Sequence, residues 1–267
     1  MCIPKIYEAV LKIVRTGFKP EAAFAHLDIG AGEGQLIAAL KAAFPNVKSQ
    51  ACDYHIERFP LKDVPVRRVD LNREALPFAE ASFDLVTCSE VLEHLENYHQ
   101  LLREAARTLK PGGLLVVTTP NVLNMQSRIR YLTAGFPVLF GPLSLSGEEV
   151  YSTDSHINPI PCFYLAHSLL GEAGFDQIQI SHDKTQKTSL ALLALFWPFP
   201  FVFWAWFWRR ELKKGHIGAN RALVLAHRSY KILVGRTLVM TARKAAGGPT
   251  FQAMSGRNQV GSREQER

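Results

Sequence analysis

The stretch Leu27-Asp28-Ile29-Gly30-Ala31-Gly32-Glu33-Gly34-Gln35 decides how the rest of the chain is read. An apolar run, Ala25–Ile29, feeds straight into it, and a segment with helical apolar spacing, Leu36–Phe44, follows. Glycines at alternate positions let the backbone turn sharply and approach a ligand with no Cβ in the way. The helix behind them opens on backbone N–H groups that lack intrahelical partners. The spacing is GxGxG, with Gln35 standing where the dinucleotide fingerprint GxGxxG carries its third glycine. An ordinary tight β-α turn could use the same residues, so the decision rests on what surrounds them.

Outward from the motif, short apolar runs alternate with helical stretches. Strands are expected at Ala25–Ile29, Val47–Cys52, Val66–Val69, Leu85–Cys88, Leu114–Thr118, Ile178–Ser181 and, after a long gap, Thr237–Ala242. Helices are expected at Gly34–Ala43, Tyr98–Leu109 and Phe163–Ala173. Ahead of the motif, Ile3, Ile6, Tyr7, Val10, Leu11 and Val14 follow helical spacing. Lys110-Pro111-Gly112-Gly113 and Ala173-Gly174-Phe175 read as helix stops. This alternation predicts an α/β protein with a doubly wound, mostly parallel sheet.

Such sheets bind ligands at the carboxyl ends of their strands. Asp53 closes the second strand, where a carboxylate can accept from a ribose diol, and Tyr54 follows it. Asp70-Leu71 closes the third, where an acid beside an apolar residue suits an adenine edge and face. Asp84 opens the fourth strand, and Ser89-Glu90-Val91-Leu92-Glu93-His94 follows it. Each acid alone could merely cap a turn; the expectation is that all four gather at one edge.

With these residues in view, the chain resembles the class I S-adenosylmethionine (SAM)-dependent methyltransferases, and within them the UbiE/UbiG-like group. The resemblance rests on LDIGAGEGQ at 27–35, Asp53, Asp70-Leu71, FDLVTCSEVLEHLEN at 83–97, LKPGG at 109–113 and LVVTTPN at 115–121. It covers roughly residues 20–182 and resumes at Arg236–Lys244. It implies a Rossmann-like, doubly wound seven-stranded sheet with helices on both faces, and SAM as cofactor. Asp28, Gly30, Gly32 and Gly34 should then surround the methionyl part, Asp53 the ribose and Asp70 the adenine. Ala31, Gln35, Tyr54, Leu71 and Ser89 complete the expected cofactor-binding set.

A sulfonium methyl is already activated, so the protein has mainly to align an acceptor and exclude water. A hydroxyl acceptor also needs a base. The candidates are His156, in Ser155-His156-Ile157-Asn158-Pro159, with His94 and Glu90. Glu90-Val91-Leu92-Glu93-His94 resembles a pattern that holds a divalent cation in quinol O-methyltransferases, and Glu90 and His94 at this spacing would share a helix face. The pattern is common without metal, and no metal ligand is assigned.

The other unusual stretch is Leu190–Trp208, LALLALFWPFPFVFWAWFW, in which nine of nineteen residues are aromatic and none is charged. Arg209, Arg210, Lys213 and Lys214 follow at once. Between Ala205 and Lys244 ten basic residues face Glu211 alone, which concentrates the net charge of +7 in this segment. Aromatics at this density favour the water–lipid boundary, and cations suit anionic headgroups. A single crossing would strand the last strand on the wrong side, and Pro198 and Pro200 break a straight helix. A re-entrant or in-plane anchor through residues 190–214 is therefore expected, against the alternative of a segment buried in the domain or in a second subunit. The aromatics form one block rather than alternating with the cations, which disfavours nucleic acid.

The expected organisation is a methyltransferase domain at 1–187, a hydrophobic and basic insertion at 188–235, the last strand at 236–244 and a disordered tail at 245–267. The four cysteines, Cys2, Cys52, Cys88 and Cys162, have no metal spacing and read as reduced thiols. No signal-like segment opens the chain, so a cytoplasmic start and a peripheral or monotopic place at the inner membrane face are expected. The expected function is O-methylation of a lipid-like or lipid-linked acceptor. The alternatives are a soluble small-molecule acceptor or a non-catalytic SAM-binding subunit.

Overall fold

A computed structural model describes residues 4–143, 155–215 and 217–246. Seven strands form one sheet: β1 (Ala25–Ile29), β2 (Lys48–Asp53), β3 (Val66–Arg68), β4 (Phe83–Ser89), β5 (Leu109–Pro120), β6 (Phe175–His182) and β7 (Thr237–Lys244). Their order is β3-β2-β1-β4-β5-β7-β6. All neighbours are parallel except the pairs that involve β7, which is antiparallel to both β5 and β6. The expected Rossmann-like architecture is thus realised, with its switch of direction between β1 and β4.

Alternation along each strand explains why both faces are covered. Leu27, Val86, Leu115, Val117 and Met240 pack into one core with the helices α3 (Tyr98–Thr108) and α5 (Cys162–Gly171). Leu85, Val116 and Val239 belong to the opposite core, with Val10 and Val14 of α1 (Lys5–Gly17) and Leu36 and Leu40 of α2 (Gln35–Ala43). A period of two on a sheet buried on both sides leaves no polar face for these strands.

Several expectations are corrected. β5 begins at Leu109, so Lys110-Pro111-Gly112-Gly113 lies within strand bounds, with Gly112 at φ +76° taking the turn. Asp84 sits at the opposite edge from the other acids: its Oδ2 accepts from Ala25 N at the start of β1, and the Lys110 ammonium holds it. The acid lies at the amino end of its strand, and direction alone puts it away from the ligand rim. Residues 90–94 are not a helical turn, because Glu90 adopts φ +56° and only Leu92–His94 form a 3-10 turn. Cys52, Cys88 and Cys162 are free and buried, whereas Cys2 lies outside the described residues. Of the tail expected to be disordered, Ala245 and Ala246 follow β7, and everything from residue 247 on lies outside the described residues.

The apolar stretch folds as two helices, α6 (Lys187–Leu195) and α7 (Phe199–Lys213), bent by 77°. Pro198 and Pro200 stand at the break. At 1.5 Å per residue the arms are about 13 and 22 Å long, short of the ~30 Å hydrocarbon core. Among the described residues no single helix is long and apolar enough to cross a membrane. α4 (Met125–Ala134) packs against α6, and α8 (Arg221–Ala226) and α9 (Tyr230–Val234) lead into β7.

Candidate functional site

The glycine turn leaves β1 at the switch point. Gly30, Gly32 and Gly34 all have φ between +52° and +69°, which only glycine adopts without strain. A Cβ on Gly30 would stand 2.3 Å from Val91 Cγ2, so the turn is pressed against the loop after β4. At Gly32 a Cβ would meet nothing within 4 Å, so this turn borders open space. The backbone is fixed from below: Gly30 N and Ala31 N donate to the Cys52 carbonyl, at 2.9 and 3.2 Å.

Asp53 bridges this turn to β2. Its Oδ2 accepts from Gly32 N and its Oδ1 from His55 N, each at 2.8 Å. Each oxygen keeps a lone pair for a further donor. Asp70, just past β3, accepts from Asn72 N through Oδ1, with Arg73 nearby. Tyr54 is exposed beneath the Arg68 guanidinium, 5.1 Å from its ring centre. Asp28 is buried and accepts from the Thr87 hydroxyl at 2.6 Å; burial pushes its carboxyl up to about 7.

A second cluster occupies the ends of β4 and β5. The Thr118 hydroxyl donates to Glu90 Oε1 and the Thr119 hydroxyl to Glu93 Oε2, each at 3.0 Å. Burial raises both carboxyls well above the usual carboxylate range, and for Glu90 the Asp183 charge raises it further while Arg236 opposes. Ser89 Oγ and Glu93 Oε1 are buried with no protein hydrogen-bond partner. The Glu93 carbonyl anchors the loop after α4 by accepting from Ile157 N and Asn158 N, which brings His156 to the site. The His94 and His156 rings meet edge to face, 4.8 Å apart. Each Nδ1 lies 2.9 Å from a carbonyl, of Ser155 and Leu139 respectively, so each carries its proton there. For His156 this leaves Nε2 as the basic nitrogen.

Of the groups considered for metal, Glu93, His94 and His156 each offer a ligand atom within 4.8 Å of the others, and Glu90 stays apart with Thr118. Sequence reasoning missed four residues here. Tyr7 of α1 reaches the charges of Asp28, Glu90 and Glu33, and burial with those charges raises its phenol pKa. Its signal was the amphipathic helix just ahead of the motif. Thr118 and Thr119 lay inside the quoted LVVTTPN, and Arg236 directly before the last strand.

Residues 27–117 match the Methyltransferase domain family. Over these residues the chain is similar to a methyltransferase domain. An uncharacterized protein of Methanocaldococcus jannaschii is 33% identical over 146 residues, which are 54% of this chain and 61% of that protein. The demethylmenaquinone methyltransferase of Listeria monocytogenes is 32% identical over 137 residues, 48% of this chain and 57% of the relative. The chain therefore spans no more than about three fifths of these curated relatives. A SAM-dependent methyltransferase from Archaeoglobus fulgidus shares the fold with TM-score 0.54 at 17% identity, covering 89% of this chain and 94% of that one.

The carboxyl rim of the sheet fits SAM on its own geometry. Gly32 leaves space where a side chain would stand, Asp53 offers carboxylate lone pairs beside it, and Asp70 lies one strand further out. Asp28, buried beneath the turn, and Ser89 Oγ, without a protein partner, lie at the same carboxyl edge.

Proposed function

We propose that the protein is a SAM-dependent methyltransferase that O-methylates a lipid-like or lipid-linked small molecule at the cytoplasmic face of a membrane. The observation that carries the methyl-transfer part is the convergence of the glycine turn, Asp53 and Asp70 on one rim, next to the half-buried carboxyl of Glu90. SAM bound there supplies an electrophilic methyl group on a sulfonium. The chain's own part is to hold the acceptor in line, keep water out and take one proton. Glu90 as carboxylate accepts that proton from the acceptor hydroxyl, and Thr118 fixes its orientation. His156 Nε2 and His94 stand across the same site as further proton carriers.

The lipid part rests on α7, in which no residue is buried. Phe199, Val202, Phe203 and Trp206 are exposed on one helical face, Phe203 by 65%. Its other side is covered: Arg228 lies over Trp204 and Phe201, and Arg221 over Trp208. Arg221 and Arg228 thus turn back onto the chain, while Arg209, Arg210, Lys213 and Lys214 are exposed beside the aromatic face. An apolar helix face ending in cations suits an anionic lipid surface. Residues 188–235 act in this reading as a membrane-associating insertion, resting in the interface rather than crossing it. The name of the Listeria relative, a demethylmenaquinone methyltransferase, points to the same acceptor class.

The test is to incubate the purified protein with SAM carrying a radiolabelled methyl group and a membrane extract, then to partition the products. Label is expected in the organic phase. Label in the aqueous phase would replace the lipid acceptor with a soluble one, and SAM binding without transfer would make the protein a non-catalytic subunit.

A further inference from the structure

A second exposed apolar surface lies beside the helical pair. Tyr131 and Leu132 at the end of α4, with Phe136, Leu139 and Leu143 after it, are all exposed, Leu132 by 81%. Scattered single apolar residues on a surface are ordinary, but a run of five in one short segment marks an interaction surface. This segment is tied to α6: Gln126 N donates to Ser189 Oγ, and Gln186 Nε2 donates to Gln126 Oε1.

Between the two elements lies a cavity of about 170 Å³, walled by Asn121, Asn124, Val138, Leu139, Gln186 and Arg236. Its amides are committed to the fold. Asn121 Nδ2 donates to the carbonyls of Ile232 and Gly235, and Asn124 caps α4. Arg236 is different: it is exposed, its charge is felt at Glu90, and among the described residues its guanidinium donates no hydrogen bond. Leu139 joins the cavity to the chemistry, because its carbonyl holds His156 while its side chain is exposed at the mouth. Pockets that enclose a whole drug-sized ligand measure roughly 300–1,000 Å³. This one takes a polar head but no long chain, so the chain of an amphiphile must lie outside it, against apolar surface.

We infer that the acceptor enters sideways from the lipid, between α4 and α6. Its ionisable hydroxyl head sits in the cavity against Arg236, and its apolar chain lies along the lip formed by Leu132, Phe136, Leu139 and Leu143. The inference rests on the lipid-like acceptor proposed above and adds where that acceptor is held. Arg236 then stabilises the oxyanion left when Glu90 takes the hydroxyl proton, a pairing that favours methyl transfer from the SAM sulfonium to that oxygen.

The test uses the full chain with Cys2→Ser and Leu132→Cys, since Cys52, Cys88 and Cys162 are buried. The new thiol is labelled with a nitrobenzoxadiazole fluorophore and mixed with phosphatidylglycerol vesicles, with and without bromine on the acyl chains. All four tryptophans lie in residues 197–208, so intrinsic fluorescence reports on the helical pair in the same sample. Both signals are expected to be quenched by the brominated chains. Quenched tryptophans with a water-exposed label would overturn the entrance while leaving the α7 contact intact; quenching of neither would remove the membrane reading beneath it. In the transfer assay, Arg236→Ala is expected to lower label in the organic phase roughly tenfold or more, as loss of a charge-assisted hydrogen bond does, with SAM affinity unchanged. Unchanged transfer would overturn the assignment of Arg236.

Discussion

The two halves of this molecule satisfy their apolar residues in opposite ways. In the first, Leu27, Ile29, Leu85 and Val86 are wholly buried between strands and helices, and the polar groups left at the strand ends are the ones that can do chemistry. In the second, α7 carries a denser apolar sequence than any of these strands, yet none of its residues is buried. The difference teaches that hydrophobicity alone does not mark a core. What matters is whether the chain itself provides a covering surface, and where it does not, something else must.

This comparison is sharpened by variants that act on one half only. The largest effect is expected from Glu90→Gln, which keeps the shape and removes the base: kcat should fall by about 10²–10⁴. The native rate should rise with pH as Glu90 loses its proton, because only the carboxylate accepts one. Burial shifts that rise above the ordinary carboxylate range. In Glu90→Gln the rise should vanish from a pH profile of kcat, and a profile that keeps it would assign the base elsewhere.

Next comes Gly30→Ala, which adds a Cβ at φ +69° and 2.3 Å from Val91 Cγ2. It should cost about 3 kcal/mol of stability, read by denaturant unfolding, and weaken SAM binding with it. Phe203→Glu with Trp206→Glu should then lower partitioning into phosphatidylglycerol vesicles by roughly 100-fold, from lost apolar burial. SAM affinity and melting temperature should hold, and loss of either would mean that α7 supports the domain after all. The smallest effect is expected from Lys213→Gln with Lys214→Gln, at about 1 kcal/mol per charge. It should fade as salt is raised in a vesicle sedimentation series.

Most of the first half was legible in the sequence because its signals are local. A period of two, a glycine turn and an acid at a strand end each lie within a few residues, and they mark out β1, β2, Asp53 and the turn at 30–34. Asp84 misleads because the end of the strand, not the residue type, decides its place. Residues 90–94 look helical by spacing, but Glu90 turns away at φ +56° to meet Thr118. What stays hidden depends on distant partners. Tyr7 reaches the site from a helix before the first strand, and Arg236 from the start of the last. The apolar lip at 131–143 is hidden too, because Thr133, glycines and prolines interrupt it in sequence and only folding displays it on one surface.

The central claim is that one rim of the sheet is shaped for SAM, with Asp53 as its anchor. Titration calorimetry of SAM into the native protein and into Asp53→Ala tests it directly. One binding site is expected in the native protein, with affinity lowered by roughly 30–100-fold in the variant, as loss of a charged hydrogen-bond acceptor requires. No binding heat in the native protein, or equal affinity in both, would contradict it.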